Sequence, residues 1–291
     1  MSKPGRLGVG IIGAGKVGAV LGAALRSAEH AVVGVHAVSE ASRDRADILL
    51  PGVPVLEIPE IVRRSELVLL AVPDDALPPL VKGLADAGHW QPGQLVVHTS
   101  GRYGTGILAP AQAAGAIPLA IHPAMSFTGM SLDLVRLNEC MFGVTAAAMV
   151  LPIAQALVVE MGAESTVIAE EDRGTYHAAL AHASNHLVTL AGQSAELLRR
   201  IGVEAPERVL GPLMRGSLEN ALASGEGALT GPVARGDTGT INAHRAALAG
   251  GEIPSDIRDA YLAMGRATAQ RALDRGLLNE TQAATILDAL S

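Results

Sequence analysis

The stretch Val9-Gly10-Ile11-Ile12-Gly13-Ala14-Gly15-Lys16-Val17-Gly18 restricts the fold more than any other part of the chain. A β-branched run of strand type meets glycines spaced G-x-G-x-x-G, and Val17 to Leu25 continues with helical spacing. Strand, glycine turn and helix in that order are what a dinucleotide-binding βα unit requires. The three glycines differ in what they allow. Gly13 permits the tight turn, Gly15 lets backbone N–H groups approach a pyrophosphate, and Gly18 lets the helix lie against the sheet. Ala14, Lys16 and Val17 complete the cofactor loop, and the first helical turn presents its partial positive charge to the phosphates. In a chain with 33 glycines the spacing alone says little, since an ordinary βα turn has it too. Its place between a strand and an Ala/Leu-rich helix favours the dinucleotide.

The N-terminal half continues the theme. Strands are predicted at Ala31 to Val38, Leu67 to Val72, Leu95 to His98 and Ile117 to Ile121. Two more are predicted at Cys140 to Thr145 and Ser165 to Ile168, with a helix from Pro152 to Met161 between them. Ligands of open α/β sheets lie beyond the carboxyl ends of the strands. Ala71, Val72, Pro73 and Ser100 are therefore expected beside the cofactor, and Ser100 and His122 beside the substrate. Ser39-Glu40-Ala41-Ser42-Arg43 follows the second strand, where the adenine ribose is met. A carboxylate there prefers a free 2'-OH, whereas Arg with small hydroxyls accommodates a 2'-phosphate. Ser39, Ser42 and Arg43 thus favour NADP. An inward Glu40 reverses the preference to NAD, and a solvated charged loop explains the same residues without a ligand.

At 291 residues the chain is long enough for two domains. Aromatics are only 2%, so the core is built from Ala, Val, Leu and Ile. No strand pattern follows Ile168. Asp172 reads as an N-cap, Tyr176 to Arg200 runs with helical spacing and no proline, and helices follow at Pro206 to Ala223, Ile241 to Leu248, Pro254 to Arg275 and Glu280 to Leu290. The expected architecture is α/β: a Rossmann dinucleotide-binding domain over 1–169, then an all-helical domain over 170–291. A formal charge of -7 without any Lys/Arg-rich run argues against nucleic acid. No apolar segment of membrane-spanning length and no signal-peptide pattern is present, so a cytoplasmic protein is expected. The lone Cys140 excludes an intramolecular disulfide and a Cys-based zinc cluster.

The only lysines are Lys3, Lys16 and Lys82, so the second half of the chain works with arginine and histidine alone. The long helix carries His177, His182, His186 and Asn185. Asn185 lies roughly 80° round the helix from His177 and roughly 60° from His182. A protonated imidazole can deliver the proton that accompanies hydride transfer, and an Asn amide can orient a carbonyl or imine. His182 and His186 are spaced i, i+4 as metal ligands can be, but no third ligand is indicated and no metal is expected. Gly227 to Thr240 concentrates Gly, Thr and Pro inside the helical domain and reads as a shaped loop. Thr230, Gly231 and Arg235 are its candidate substrate contacts, with Arg235 suited to clamp a carboxylate. A helix-helix turn capped by Asp237 accounts for the same residues.

These segments together resemble the 6-phosphogluconate-dehydrogenase-like superfamily, which includes pyrroline-5-carboxylate reductase, prephenate dehydrogenase, ketopantoate reductase and the deazaflavin-dependent NADP oxidoreductases. The glycine loop and Ala71-Val72-Pro73 carry the likeness in the first half. His98-Thr99-Ser100-Gly101, His122-Pro123, Tyr176-His177-Ala178-Ala179, Ala183-Ser184-Asn185, Leu229-Thr230-Gly231-Pro232 and Arg235-Gly236-Asp237 are similar to bacterial proteins that join a Rossmann-like domain to a helical domain of unknown function. The resemblance implies NADP(H)-dependent reduction of a small 2-oxo acid, such as ketopantoate, or a cyclic imine. The nicotinamide would rest near Pro73 and Ser100, with His177 as proton donor and Asn185 orienting the substrate; His182 and His122 are the other candidate donors. Several superfamily dehydrogenases use a helix lysine three or four residues before an Asn. Here Ala181 or His182 stands at that position, which leaves open a non-catalytic dimeric NADP-binding sensor or partner protein, or a deazaflavin as second redox partner. The Thr230 loop is similar to the loop with which pyrroline-5-carboxylate reductases complete a neighbouring subunit's site, which implies a homodimer joined through the helical domain.

Overall fold

The computed structural model describes residues 6–291, so the first five residues of the expected cofactor domain, Lys3 among them, lie outside the described residues. Two units divide the chain within its longest helix, Met1–Ser184 and Asn185–Ser291. The first alternates strands and helices: β1 (Gly8–Ile12), α1 (Lys16–Ser27), β2 (Ala31–His36), α2 (Glu40–Leu49), α3 (Ile58–Arg64), β3 (Leu67–Leu70), α4 (Leu77–Asp86), β4 (Leu95–His98), α5 (Ala109–Ala113), β5 (Ile117–Pro123), α6 (Leu132–Arg136), β6 (Met141–Thr145), α7 (Leu151–Glu160) and β7 (Glu164–Val167). The seven strands form one sheet in the order β2-β1-β3-β4-β5-β6-β7. All neighbours are parallel except β5 and β6, which pair antiparallel with His122 opposite Gly143.

The central strands β1, β3 and β4 are almost wholly apolar because both faces are covered, whereas β7 at the sheet edge is polar and largely exposed. Val9, Ile11, Leu67, Leu69, Leu95 and Val97 pack into one core with α1 and α7. Ile12, Val68, Leu70 and Val96 point the other way into a second core with α3 and α4. The chain order reverses direction across the sheet at β1, whose neighbours are β2 and β3. This switch point is where an open α/β sheet leaves a crevice at its carboxyl edge.

Two strands are shorter than their apolar runs. β2 stops at His36 and β3 at Leu70, so Ala37, Val38, Ala71 and Val72 are apolar for a different reason. Val38 is 73% exposed. Ladder pairing ends there because β1, the shared neighbour, turns away at Gly13.

The long helix α8 (Arg173–Arg200) leads into the second unit, which continues with α9 (Pro206–Ser224), α10 (Thr238–Leu248), α11 (Ser255–Asp274) and α12 (Glu280–Ala289). Its core is small: Val233, Ile241, Ala269, Ile286 and Leu290 form one cluster, and Ala234, Ala272, Leu278 and Ala283 another. The Asp237 carboxylate caps α10, accepting from the Thr240 amide at 3.0 Å and the Thr240 hydroxyl at 2.7 Å. Among the described residues no helix is long and apolar enough to cross a membrane.

Candidate cofactor cleft and histidine corner

The glycine turn lies at the switch point. Gly13 has φ +102°, a left-handed conformation that favours glycine, and the amides of Gly13 and Ala14 both donate to the His36 carbonyl, at 3.2 and 3.1 Å. Gly15 is the N-cap of α1 and has no side chain to cap it, and no acidic residue occupies the first turn. The N–H groups there face outward for an anion.

Around this turn is a cleft of about 530 Å³. Gly13, Ala14, Gly15, Ser39, Ser42, Ala71, Val72 and Pro73 all line it, joined by Ile12, His36, Ala37 and Val38. No carboxylate is among its lining residues. Glu40 is exposed on the first turn of α2 and does not line the cleft, and neither does the exposed Arg43. Ser39 and Ser42 also serve the fold: Ser39 Oγ accepts from the Ser42 amide at 3.2 Å, and Ser42 Oγ donates to the Ser39 carbonyl at 2.7 Å. Lys16, Val17 and Gly18 form the first turn of α1 rather than the cleft wall. Arg45, which motif reasoning passes over, donates from Nη1 to the Ala14 carbonyl at 3.2 Å and so braces the loop from α2. A basic side chain one turn beyond Ser42 is its only signal in the sequence.

A second group of polar side chains collects at the carboxyl ends of β4 and β5. His98 is fully buried; its Nδ1 accepts from the Ser100 amide at 3.2 Å, which leaves Nε2–H to donate to the Gly104 carbonyl at 2.8 Å. Ser100 is buried too, and its hydroxyl oxygen accepts from the Tyr103 amide at 3.4 Å, so it shapes this turn and does not line the cleft. His122 on β5 shares a hydrogen bond of 3.0 Å between Nδ1 and the Tyr176 hydroxyl. The His122 and His177 rings meet edge to face, with centroids 6.1 Å apart. Gly101 makes this possible, because a Cβ there would stand 2.6 Å from His177 Cδ2 and 3.0 Å from His122 Nε2.

Behind the imidazoles Arg173 is buried with only neutral acceptors. Its Nε donates to Thr145 Oγ1 at 2.7 Å, and Nη2 donates to the carbonyls of Ala120 and Gly143 at 2.9 and 3.1 Å. Nη1 is buried without a partner. Burial, then the Arg173 charge, then His177 push the His122 pKa down to about 4. Burial does the same to His98, also to about 4, against the opposing pull of the Gly104 carbonyl. Both imidazoles are neutral at pH 7.

Asn185 lies on α8 as the first residue of the second unit, and His182 and His186 lie on the same helix. Thr230 and Arg235 are exposed on the turn between α9 and α10, which is closed by bonds from the Arg235 amide to the Gly231 carbonyl and from the Asp237 amide to the Pro232 carbonyl. Among the described residues no group of three or more His, Cys, Asp or Glu is gathered as a metal ion needs.

Residues 1–123 match the Rossmann-like domain family, and residues 140–268 match a domain of unknown function, DUF2520. The chain joins a Rossmann-like domain to a DUF2520 domain. The first match ends at Pro123, the last residue of β5, so His98, Ser100 and His122 belong to the Rossmann-like part. Arg173, Tyr176 and His177 belong to DUF2520, and the histidine corner is built where the two meet.

No curated protein matches the chain. Among solved structures, a Bacteroides fragilis protein described as an NADP oxidoreductase is 21% identical, with 90% of this chain and 98% of that one covered and a TM-score of 0.75. A Thermotoga maritima protein is 25% identical, covering 92% and 99%, with a TM-score of 0.65. The reductive aminase of Aspergillus terreus, solved with NADPH and ethyl-5-oxohexanoate, is 16% identical, covering 97% and 99%, with a TM-score of 0.69. These likenesses establish the Rossmann-like α/β fold with its helical C-terminal part.

Proposed function

We propose that the chain is a cytoplasmic, homodimeric, NADPH-dependent oxidoreductase that reduces a small 2-oxo acid or a cyclic imine. Residues 1–169 serve as its cofactor domain and 170–291 as its substrate and dimerisation domain. The observation that carries this reading is the cleft at the switch point. It offers glycine-turn amides for a pyrophosphate and the Ser39 and Ser42 hydroxyls beyond β2, with no carboxylate on its walls to repel a 2'-phosphate. Support comes from the names of the structural neighbours, one an NADP oxidoreductase and one holding NADPH. Bound NADPH would supply the hydride.

The proton is assigned to His177, which stands beside His122 and Gly101 at the strand ends, with the Asn185 amide orienting the substrate. The Thr230, Gly231 and Arg235 turn is assigned to the substrate of a neighbouring subunit. NADPH is expected to bind about tenfold tighter than NADH in a fluorescence titration, a difference of about 1.4 kcal/mol. NADPH consumption is expected with members of a panel of 2-oxo acids, ketopantoate first, and cyclic imines. His177→Ala should lower kcat by about 10²-fold or more. Equal affinity for the two cofactors would remove the NADP preference, and no NADPH consumption across the panel would overturn the enzyme reading.

The homodimer is supported by apolar side chains left uncovered on the second unit. Val188 on α8 and Leu213 and Leu222 on α9 are 73%, 62% and 80% exposed. Exposed apolar faces of this kind mark interaction surfaces. Light scattering is expected to return twice the chain mass of 29.7 kDa, and a monomer at micromolar concentration would reject the dimer.

A further inference from the structure

The aim of one amide in the glycine turn is set from outside the turn, an inference that rests on reading the switch-point cleft as an NADPH site. We propose that Arg45 is a positioning residue: it holds the Ala14–Gly15 peptide with the Gly15 N–H turned to the cofactor's pyrophosphate, and Gly129, fixed by the buried Asp133, holds Arg45 in place.

The orientation follows from the planarity of the peptide. In a trans peptide the carbonyl and the N–H of the next residue point in opposite directions. Arg45 Nη1 donates to the Ala14 carbonyl at 3.2 Å, and Arg45 does not line the cleft, whereas Ala14 and Gly15 do. The bond therefore turns the carbonyl away from the cleft and the Gly15 N–H into it. Gly15 precedes α1, so its N–H has no acceptor within the helix, and among the described residues no other backbone acceptor meets it. Such a donor is available to an anion. Nothing in Gly15 itself keeps the peptide so. A flip carries its φ from -69° into the positive range, which glycine adopts readily, and turns the carbonyl oxygen towards the phosphates. The residue that leaves room for the phosphates thus needs an outside hold, and the guanidinium supplies it.

Arg45 is held in turn by the chain beyond β5. Gly129, in the connection between β5 and α6, has φ +82°, and a Cβ there would stand 2.5 Å from Arg45 Nε and 3.1 Å from its Cδ. Glycine lets the backbone come this close to the guanidinium. The same Cβ would stand 3.0 Å from Lys16 Cγ, so the connection also lies against the first turn of α1. Gly129 is tied down where it is. Its amide donates to Asp133 Oδ2 at 2.7 Å, the Thr128 amide to the same oxygen at 2.8 Å, and the Thr128 hydroxyl to Oδ1 at 2.9 Å. Asp133 is fully buried, and the ion pair it makes is with Arg136, at 3.4 Å. Its carboxylate fixes Gly129 and leaves the Arg45 Nη1 bond to the Ala14 carbonyl.

The test uses the full-length chain and three variants. Arg45→Met removes the donor, Gly129→Ala keeps the Arg45 charge but displaces the guanidinium, and the third variant combines them. Without ligand, the Gly15 ¹H–¹⁵N residual dipolar coupling of wild type is expected to report one fixed orientation and to collapse towards zero in Arg45→Met, as the peptide samples both. Each single variant is expected to weaken NADPH about tenfold in a fluorescence titration, the loss of one bond to a charged oxygen. The double variant should also lose about tenfold rather than a hundredfold, because both changes act through one guanidinium. 2'-AMP, which carries the adenosine and the 2'-phosphate but no pyrophosphate, is expected to bind all four proteins alike. An unchanged Gly15 coupling in Arg45→Met, additive losses, or a loss of 2'-AMP equal to that of NADPH overturns the proposal and leaves the cofactor reading standing. A wild type that binds no NADPH sinks both. Should Gly129→Ala not fold, the Arg45→Met coupling and its 2'-AMP control decide.

Discussion

Gly18→Ala is expected to lower both the thermal stability of the chain and its affinity for NADPH, whereas Gly15→Ala lowers the affinity alone. The two glycines belong to one turn but meet different neighbours. A Cβ on Gly18 would stand 2.0 Å from the Gly13 carbonyl oxygen and 2.8 Å from the Ala71 Cβ, so α1 has to move off the sheet or the turn has to open. Overpacking of this kind costs about 1–3 kcal/mol. It also displaces the amides aimed at the pyrophosphate, and each bond lost to a charged oxygen costs about 2 kcal/mol, roughly thirtyfold in Kd. At Gly15 the backbone is ordinary, with φ -69°, and nothing lies within 4 Å of a Cβ. The unliganded fold should therefore lose less than about 1 kcal/mol, the cost of a poorer N-cap. The space such a Cβ would fill is the space the phosphates need. Thermal unfolding and NADPH fluorescence titration of both variants check this, and Gly15→Ala binding NADPH as wild type does would show that the turn serves the fold and not a ligand.

The contrast between Gly15 and Gly18 depends on neighbours, the Gly13 carbonyl and Ala71, that no local sequence pattern brings together. The central strands β1, β3 and β4 are legible because each is an almost wholly apolar run buried on both faces, and the helices of the second unit because their caps are local, Asp237 before α10 being the clearest case. The ends of β2 and β3 are overrun, since Ala37-Val38 and Ala71-Val72 are apolar as walls of the cleft and periodicity cannot separate a wall from a ladder. The antiparallel pairing of β5 with β6 is not legible for a similar reason: a two-sided buried strand has the same pattern in either direction. Ser39 and Ser42 point to the cofactor in the sequence, yet they also make the N-terminal turn of α2, a role visible in their i, i+3 spacing. Arg173 and Tyr176 give no signal beside three histidines. Their partners, the carbonyls of Ala120 and Gly143 for Arg173 and the His122 ring for Tyr176, are brought together only by the sheet, and no local pattern announces that.

Acid is expected to weaken the first unit well before its carboxylates titrate. His98 and His122 are neutral in the folded chain down to about pH 4, held there chiefly by burial, whereas an unfolded histidine takes up its proton near pH 6.5. Between those values the unfolded chain binds more protons, so stability is full above about pH 7 and falls as the pH drops. For the fully buried His98 the loss at pH 5 is about 2 kcal/mol; the partly exposed His122 adds to it in the same direction. Asp133 and Glu170 extend the loss lower still. Burial raises both carboxyls, but bonds from the Gly129 and Thr128 amides and hydroxyl to Asp133, and from Gly106 and Thr105 to Glu170, outweigh it and depress them. Their contribution is present above the usual carboxylate range and lost below it. Trp90, the only tryptophan and buried in the first unit, reports this unit's unfolding by fluorescence. The urea midpoint is expected to fall from pH 7 to pH 5 in wild type and to fall less in His98→Gln, even if that variant starts lower at pH 7. A wild-type midpoint unchanged over this range would mean that the corner admits enough water to charge its imidazoles.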